Sequence, residues 1–281
     1  MPIGPSSASN CRLAEWALDN SSSGIELILV FDEQSNQQAF QRNTLINFLA
    51  MPFVRSISGT YGAPGLARNA GAELCQGEWI AFWDVDDLPN IEEILNALHS
   101  VKSNVDVLVG QFKITDARSH ESSEGPIARN SKDLAINPGL WRVVFKRQSI
   151  NGIKFSSGKM GEDQEFLIRT KYWEKNVEYI DENFYNYFTN QSQQLTSNPS
   201  NIVDLKEILI RTLIFFRIEN KNEILQLFAA RQLITLVKRG NAKLKISFLH
   251  ELFSRFRFSA PNILLKLIFG VLQIFLLKAR T

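Results

Sequence analysis

The sequence predicts an α/β protein, with a mostly parallel sheet and flanking helices over residues 1–198 followed by a helical C-terminal extension over residues 199–281. Two observations set this class. Short apolar runs rich in β-branched and aromatic residues, at 25–31 (IELILVF), 53–57 and 79–83 (WIAFW), alternate with stretches of helical spacing at 37–50 and 66–74. Such alternation winds a parallel sheet, because each helix carries the chain back to start the next strand in the same direction. Beyond residue 200 the strand signals stop, and residues 202–218 and 223–239 place their apolar side chains along helical stripes.

In chain order, residues 1–4 form only a very short segment, and Ser6, Ser7 and Ser9 read as a loop and helix cap before 11–18. Pro52 stops the helix of residues 37–50. Past Pro89 the pattern gives a helix over 91–101 and a strand over 105–114, then a polar loop region over 116–137, a length that suits ligand contacts or a mobile flap. Residues 141–145 and 153–155 are short apolar runs ahead of the acids at 162–163, and 177–181 and 184–188 read as two short strands that complete the domain. The last segment, 262–278 (NILLKLIFGVLQIFLLK), is apolar almost all round. Its run of roughly 15 apolar residues would span about 22 Å, short of the ~30 Å core of a bilayer. That leaves a helix lying in a membrane interface, or one packed on the domain or on a second copy in a homodimer.

With 281 residues and 44% hydrophobic content, the chain can bury one large core, or a domain and an appendage. Cys11 and Cys75 are too few for a disulfide framework and lack metal-ligand spacing, so they read as core thiols of a reducing compartment. His99, His120 and His250 are scattered, which argues against zinc and against histidine acid–base chemistry. The net charge of +2 hides an asymmetry: residues 1–200 carry 17 Lys+Arg against 24 Asp+Glu, and residues 201–281 carry 14 against 5. A basic tail on an acidic domain suits an anionic surface. Nucleic acid is not expected, since no aromatic platforms interleave with a basic groove. Residues 1–20 lack the basic start and apolar run of a signal peptide. The expected location is therefore cytoplasmic, with residues 240–281 on the inner face of a membrane.

Two groups of acids carry the chemistry. Asp84, Asp86 and Asp87 follow the strand at 79–83, and ligands in open α/β sheets sit at the carboxyl ends of strands. Three carboxylates there form either a hard-cation site or a costly cluster of like charge, and Mg²⁺ is commonly held by one or two carboxylates plus substrate phosphates. Taken alone, the three also fit solvated loop acids and caps before Ile91. Glu162 and Asp163 follow the turn from Gly158 to Gly161 at a helix start, where acids also serve as partners of the helix dipole.

Residues 62–89, GAPGLARNAGAELCQGEWIAFWDVDDLP, resemble the family 2 glycosyltransferases of the inverting GT-A type, whose fold has a Rossmann-like half. The pattern G-x-x-x-A-R-N-x-G, then a strand, then F-x-D-x-D-D-x-x-x-P, is met by Ala67, Arg68, Asn69, Gly71, Phe82, Asp84, Asp86 and Asp87, with Gly65 two places later and Pro89 two places earlier than the pattern has them. The resemblance covers roughly residues 1–198. It implies a nucleotide-diphosphate sugar donor contacted by Asp32, Glu33, Arg68, Asp84 and Asp86. It further implies Mn²⁺ or Mg²⁺ on Asp84, Asp86 and Asp87, Asp163 as the catalytic base, and an acceptor region near Trp141 and Glu162. Gln34 stands where the family has Gly, and Asn190 where it often has His. The expected function is inverting sugar transfer to a hydroxyl of a glycan or lipid-linked acceptor. A nucleotide-sugar-binding scaffold without turnover is the alternative.

Overall fold

The structure, a computed structural model, describes residues 1–3, 24–32, 51–190, 198–219 and 222–278. Glu33, Gln34, Cys11 and the helix expected over 37–50 lie outside the described residues. Strands β1 (Pro2–Ile3), β2 (Leu27–Asp32) and β3 (Val54–Gly59) form a parallel sheet in that order, with Leu27 opposite Val54 and Asp32 opposite Gly59. Five of the six residues of β2 are buried, as its unbroken apolar run requires of a strand covered on both faces. Helix α1 (Pro64–Leu74) starts with proline in its first turn, where the missing N–H costs nothing.

Strands β4 (Trp79–Ala81) and β5 (Leu88–Pro89) bracket the acid cluster, and α2 (Ile91–Ser100) starts on the side chain of Asn90, which accepts the Glu93 N–H. Then come β6 (Val107–Asp116), β7 (Ser122–Glu124), α3 (Ser131–Ile136), β8 (Val143–Lys146), α4 (Glu162–Thr170) and β9 (Val177–Thr189). The second sheet has the order β4-β8-β6-β9-β5, with β7 on β6. Its longest ladder, β6 with β9, is parallel, but β4, β5, β7 and β8 all pair antiparallel. The parallel expectation thus describes the first sheet and the central ladder, while the second sheet is mixed.

Two other expectations are corrected, for 177–188 and for 116–137. The two strands expected over 177–188 are one, because the polar break at Asp181–Asn183 is absorbed as a bulge: Val109 faces Tyr179 and Gln111 faces Asn183. Residues 153–155 join no strand, and Leu140–Arg142 make a single 3₁₀ turn before β8. The polar segment 116–137 contains β7 and α3 and buries Ala128, Leu134, Ala135 and Ile136. Its backbone is pinned by two buried side chains: Gln111 bonds both N–H and C=O of Ala128, and Arg142 donates to the carbonyls of Pro126 and Asn137.

The extension folds as α5 (Ile202–Ile218), α6 (Glu223–Arg239), α7 (Ala242–Phe256) and α8 (Ala260–Lys278). Phe216 of α5, Leu225, Leu227 and Phe228 of α6 and Ile274 of α8 share one apolar cluster with Val107, Phe145 and Phe166 of the sheet and α4. Each such side chain contributes about 1.5–3 kcal/mol when fully buried, so the extension is held as part of the molecule. Ile263, Leu267 and Ile274 face inward from α8, while Leu265, Ile268, Phe269, Leu272 and Phe275 are 49–58% exposed on its other side. Among the described residues no helix is long and apolar enough to cross a membrane.

Candidate active site

The site is assembled around α1, whose motif residues reach across the chain. Gly65 lies against the loop that precedes α4: a β-carbon there would sit 2.4 Å from the carbonyl oxygen of Ser156, so no larger residue fits without moving that backbone. Asn69 bonds both backbone groups of Phe155, accepting its N–H at 2.8 Å and donating to its C=O at 3.0 Å. Arg68, 7% exposed, donates from one terminal nitrogen to Asp84 at 2.7 Å and from the other to Glu162 at 2.8 Å. One buried guanidinium therefore joins the two carboxylate sites. Burial alone would lower the pKa of Arg68, but the charges of Asp84, Glu162 and Asp163 outweigh this and raise it.

Asp84, Asp86 and Asp87 leave β4 in a turn in which the Asp87 N–H meets the Asp84 carbonyl. Asp84 and Asp86 are half-buried there, whereas Asp87 is directed into the core. The Asp87 carboxylate accepts the Phe188 N–H at 2.7 Å and the Tyr185 hydroxyl at 3.2 Å. Burial, then the charges of Asp86 and Asp84, push its pKa well above the ordinary value despite those bonds. The same Tyr185 hydroxyl accepts the Asp84 N–H, so β9 fixes the loop at two points.

Asp163 stands in the first turn of α4 beside Glu162. Burial, then the neighbouring charge of Asp163, lift Glu162 to about 7 against the opposing pull of Arg68. Asp163 is raised as well, by burial first, with the charge of Asp84 adding to it. Tyr187, pushed up to about 12 by burial and then by Asp87, Asp84, Asp86 and Asp163, lies within electrostatic reach of both acid groups. Sequence reasoning gave Tyr185 and Tyr187 no role; their alternation on one strand is the signal that puts both on the same face. Trp141 stacks on both, at centroid distances of 4.7 and 5.6 Å, and Phe112 meets it edge-on at 4.6 Å. The expected acceptor residue is thereby tied to the acid cluster through Tyr185, whose hydroxyl bonds Asp87 and Asp84.

Asp32 and Asn190 make contacts of their own. Asp32, at the end of β2, accepts the N–H groups of Gly62 at 2.7 Å and Tyr61 at 3.4 Å, shaping the turn before α1. Asn190 is left-handed (φ 57°), a conformation Asn tolerates, and donates to Asp116.

The fit to a divalent cation follows from these contacts. Among the described residues no three His, Cys, Asp or Glu side chains converge on one point. An all-protein cage therefore does not fit. A cation that takes one or two carboxylates and completes its shell from a diphosphate and water does, with Asp84 and Asp86 as the carboxylates.

The molecule thus combines a parallel first sheet, acids at the carboxyl end of β4 and a second acid pair at the start of α4 on an α/β scaffold. Residues 12–160 match the family model "Glycosyl transferase family 2", so the chain belongs to that family. Among curated proteins, the poly(ribitol-phosphate) beta-N-acetylglucosaminyltransferase TarP of Staphylococcus aureus (strain N315) is 26% identical over 176 residues, covering 56% of this chain and 52% of that protein. The chain thus spans about half the length of the curated relatives it matches. Residues 1–349 of S. aureus TarS in complex with UDP-GlcNAc share the fold at TM-score 0.69 and 16% identity, over 97% of this chain and 89% of that one. The mannosyltransferase PcManGT of Pyrobaculum calidifontis in complex with GDP-Man and Mn²⁺ does so at TM-score 0.53 and 12% identity, over 98% and 85%.

Proposed function

We propose that this chain moves a sugar from a nucleoside-diphosphate sugar to a hydroxyl of a glycan or lipid-linked acceptor, with inversion at the anomeric carbon. The observation that carries this reading is the Arg68 bridge, which brings the donor-side Asp84 and the base-side Glu162 to one guanidinium. In the reaction the acceptor oxygen attacks the anomeric carbon, the bond from that carbon to the diphosphate breaks, and the hydroxyl proton passes to Asp163. A raised pKa suits this role, since a base works best with a pKa near the operating pH. Glu162, held by Arg68, sets the charge beside the base. Asp84 and Asp86 face the diphosphate, Arg68 holds Asp84, Asp32 and Glu33 face the nucleoside, and Trp141 offers its ring to the acceptor. Asp84 and Asp86 would hold Mn²⁺ or Mg²⁺, which would supply positive charge to the leaving diphosphate.

UDP-GlcNAc, the ligand of the TarS complex, is the first donor to test, and a ribitol-phosphate polymer, from the name of TarP, the first acceptor. Alongside the 49–58% exposed apolar row of α8, Ile246, Leu249 and Phe253 are exposed on α7, interleaved with Lys243, Lys245 and Arg255. That combination supports a cytoplasmic enzyme resting on an anionic membrane surface. A screen of UDP- and GDP-sugars with Mn²⁺, read as released nucleoside diphosphate, tests the transfer reading. Release from one donor supports it, and binding without release from every donor would mark a nucleotide-sugar-binding scaffold.

A further inference from the structure

The loop that delivers Asp163 is gripped from two sides. On one side α1 holds it, through Gly65 against Ser156 and Asn69 on Phe155. On the other side stands α5, the first helix of the extension. Asp204 of α5 accepts the Lys159 N–H at 2.7 Å across 45 residues of chain. Met160 is buried against Ile202, Leu205 and Leu209. Gly161, which caps α4 at φ 87°, leaves room for Leu205: a β-carbon there would lie 2.9 Å from its Cδ1. Two residues after Asp163, the buried Glu165 is forked by Arg211 of α5, from Nε at 2.8 Å and Nη2 at 2.9 Å, and also accepts the Ser156 hydroxyl at 2.6 Å. The backbone before Asp163 and the side chain after it are therefore both tied to α5.

We propose that α5 is a positioning element of the active site, in which Asp204 and Arg211 set the place and angle of the Asp163 carboxylate relative to the donor-side acids. This rests on the reading of Asp163 as the base. The chemistry explains why such a device is needed. A left-handed glycine cap without side-chain capping is a weak start for a helix that must aim a carboxylate, and misplacement of a reacting group by about 1 Å can cost on the order of 10²-fold in rate. The paired Arg211–Glu165 contact is of the bidentate kind that fixes geometry as well as charge.

The test compares Asp204→Ala, Asp204→Asn and Arg211→Met in the full chain with the native enzyme and with Asp163→Asn, using Mn²⁺ and the donor found by the screen. Asn keeps an oxygen able to accept the Lys159 N–H, and Ala does not. The expected result is that Asp204→Ala and Arg211→Met lower kcat by about ten- to a hundredfold, with donor KM and calorimetric donor affinity near native, and that Asp204→Asn restores most of the rate. The acid limb of the kcat profile should also move in Arg211→Met, because Asp163 then sits differently toward Arg68. A native kcat in Asp204→Ala overturns the proposal, as does an Asn variant no better than the Ala variant. Should Arg211→Met fail to fold, the Asp204 pair decides alone. If Asp163→Asn retains native turnover, it is the base reading that fails, whatever the α5 variants do.

Discussion

Replacing Arg68 by Met should destabilise the protein by an amount that depends on pH. Arg68 and Glu162 are 7% and 8% exposed, and stripping one partner from a buried ion pair costs about 3–5 kcal/mol when the other stays charged. Glu162 has an escape, which is to take up a proton. In the native protein its pKa is already lifted from 4.5 to about 7, so the folded state holds a proton that the unfolded chain has released, and stability falls as pH rises across that window and is level above it. Without Arg68 the folded value moves above 7 and the window extends upward. Below pH 7 Glu162 is neutral in both proteins, and the deficit should be only about 1–2 kcal/mol, because Asp84 no longer receives its charged hydrogen bond. Above pH 7 the deficit should widen by about 1.4 kcal/mol per pH unit until it reaches the full cost. Urea denaturation of both proteins at half-unit steps from pH 6 to pH 8.5 measures this. A deficit that stays flat over the range would refute the assignment of Arg68 as the charge partner of Glu162.

Gly65→Ala places a methyl against the Ser156 carbonyl and should cost about 1–3 kcal/mol in thermal or urea unfolding while lowering turnover, since the displaced loop leads to Asp163. Asp86→Ala should abolish Mn²⁺-dependent binding of nucleoside diphosphate in calorimetry, with the melting temperature almost unchanged; unaltered binding would remove Asp86 from the proposed cation site. The native chain should float with anionic vesicles at low salt and lose that attachment as salt rises, and Phe269→Ser with Phe275→Ser should weaken it at all salt levels. No flotation of the native chain at low salt would contradict the membrane reading.

The first sheet, α1, α2 and three of the four helices of the extension (α5, α6 and α8) were legible because their apolar periodicity is local and unbroken, whereas α7 (Ala242–Phe256) was not read as a helix. The motif in α1 was legible as a pattern but not as a mechanism: Arg68, Asn69 and Gly65 act on Glu162, Phe155 and Ser156, and partners that distant leave no trace in spacing. The acids at 84–87 read as three equals, yet the turn after β4 sends Asp87 inward to Phe188 and Tyr185, which only the path of β9 decides. The bulge that makes 177–189 one strand was hidden for the same reason, since exposed Asp181 and Glu182 look like a turn until the partner strand is known. Sequence reading gave the extension a packing role or a surface role, and it singled out neither Arg211 nor Asp204 on the amphipathic helix over 202–218. Their partners in the loop before α4 and in its first turn are what give them a part in the site.

The central claim is that Asp163 accepts the acceptor proton. Asp163→Asn keeps the shape of the side chain, so donor affinity measured by calorimetry should stay near native while turnover, read as released nucleoside diphosphate in the presence of acceptor, falls by roughly 10²- to 10⁴-fold. Turnover at the native level, or donor affinity lost in step with turnover, would contradict it.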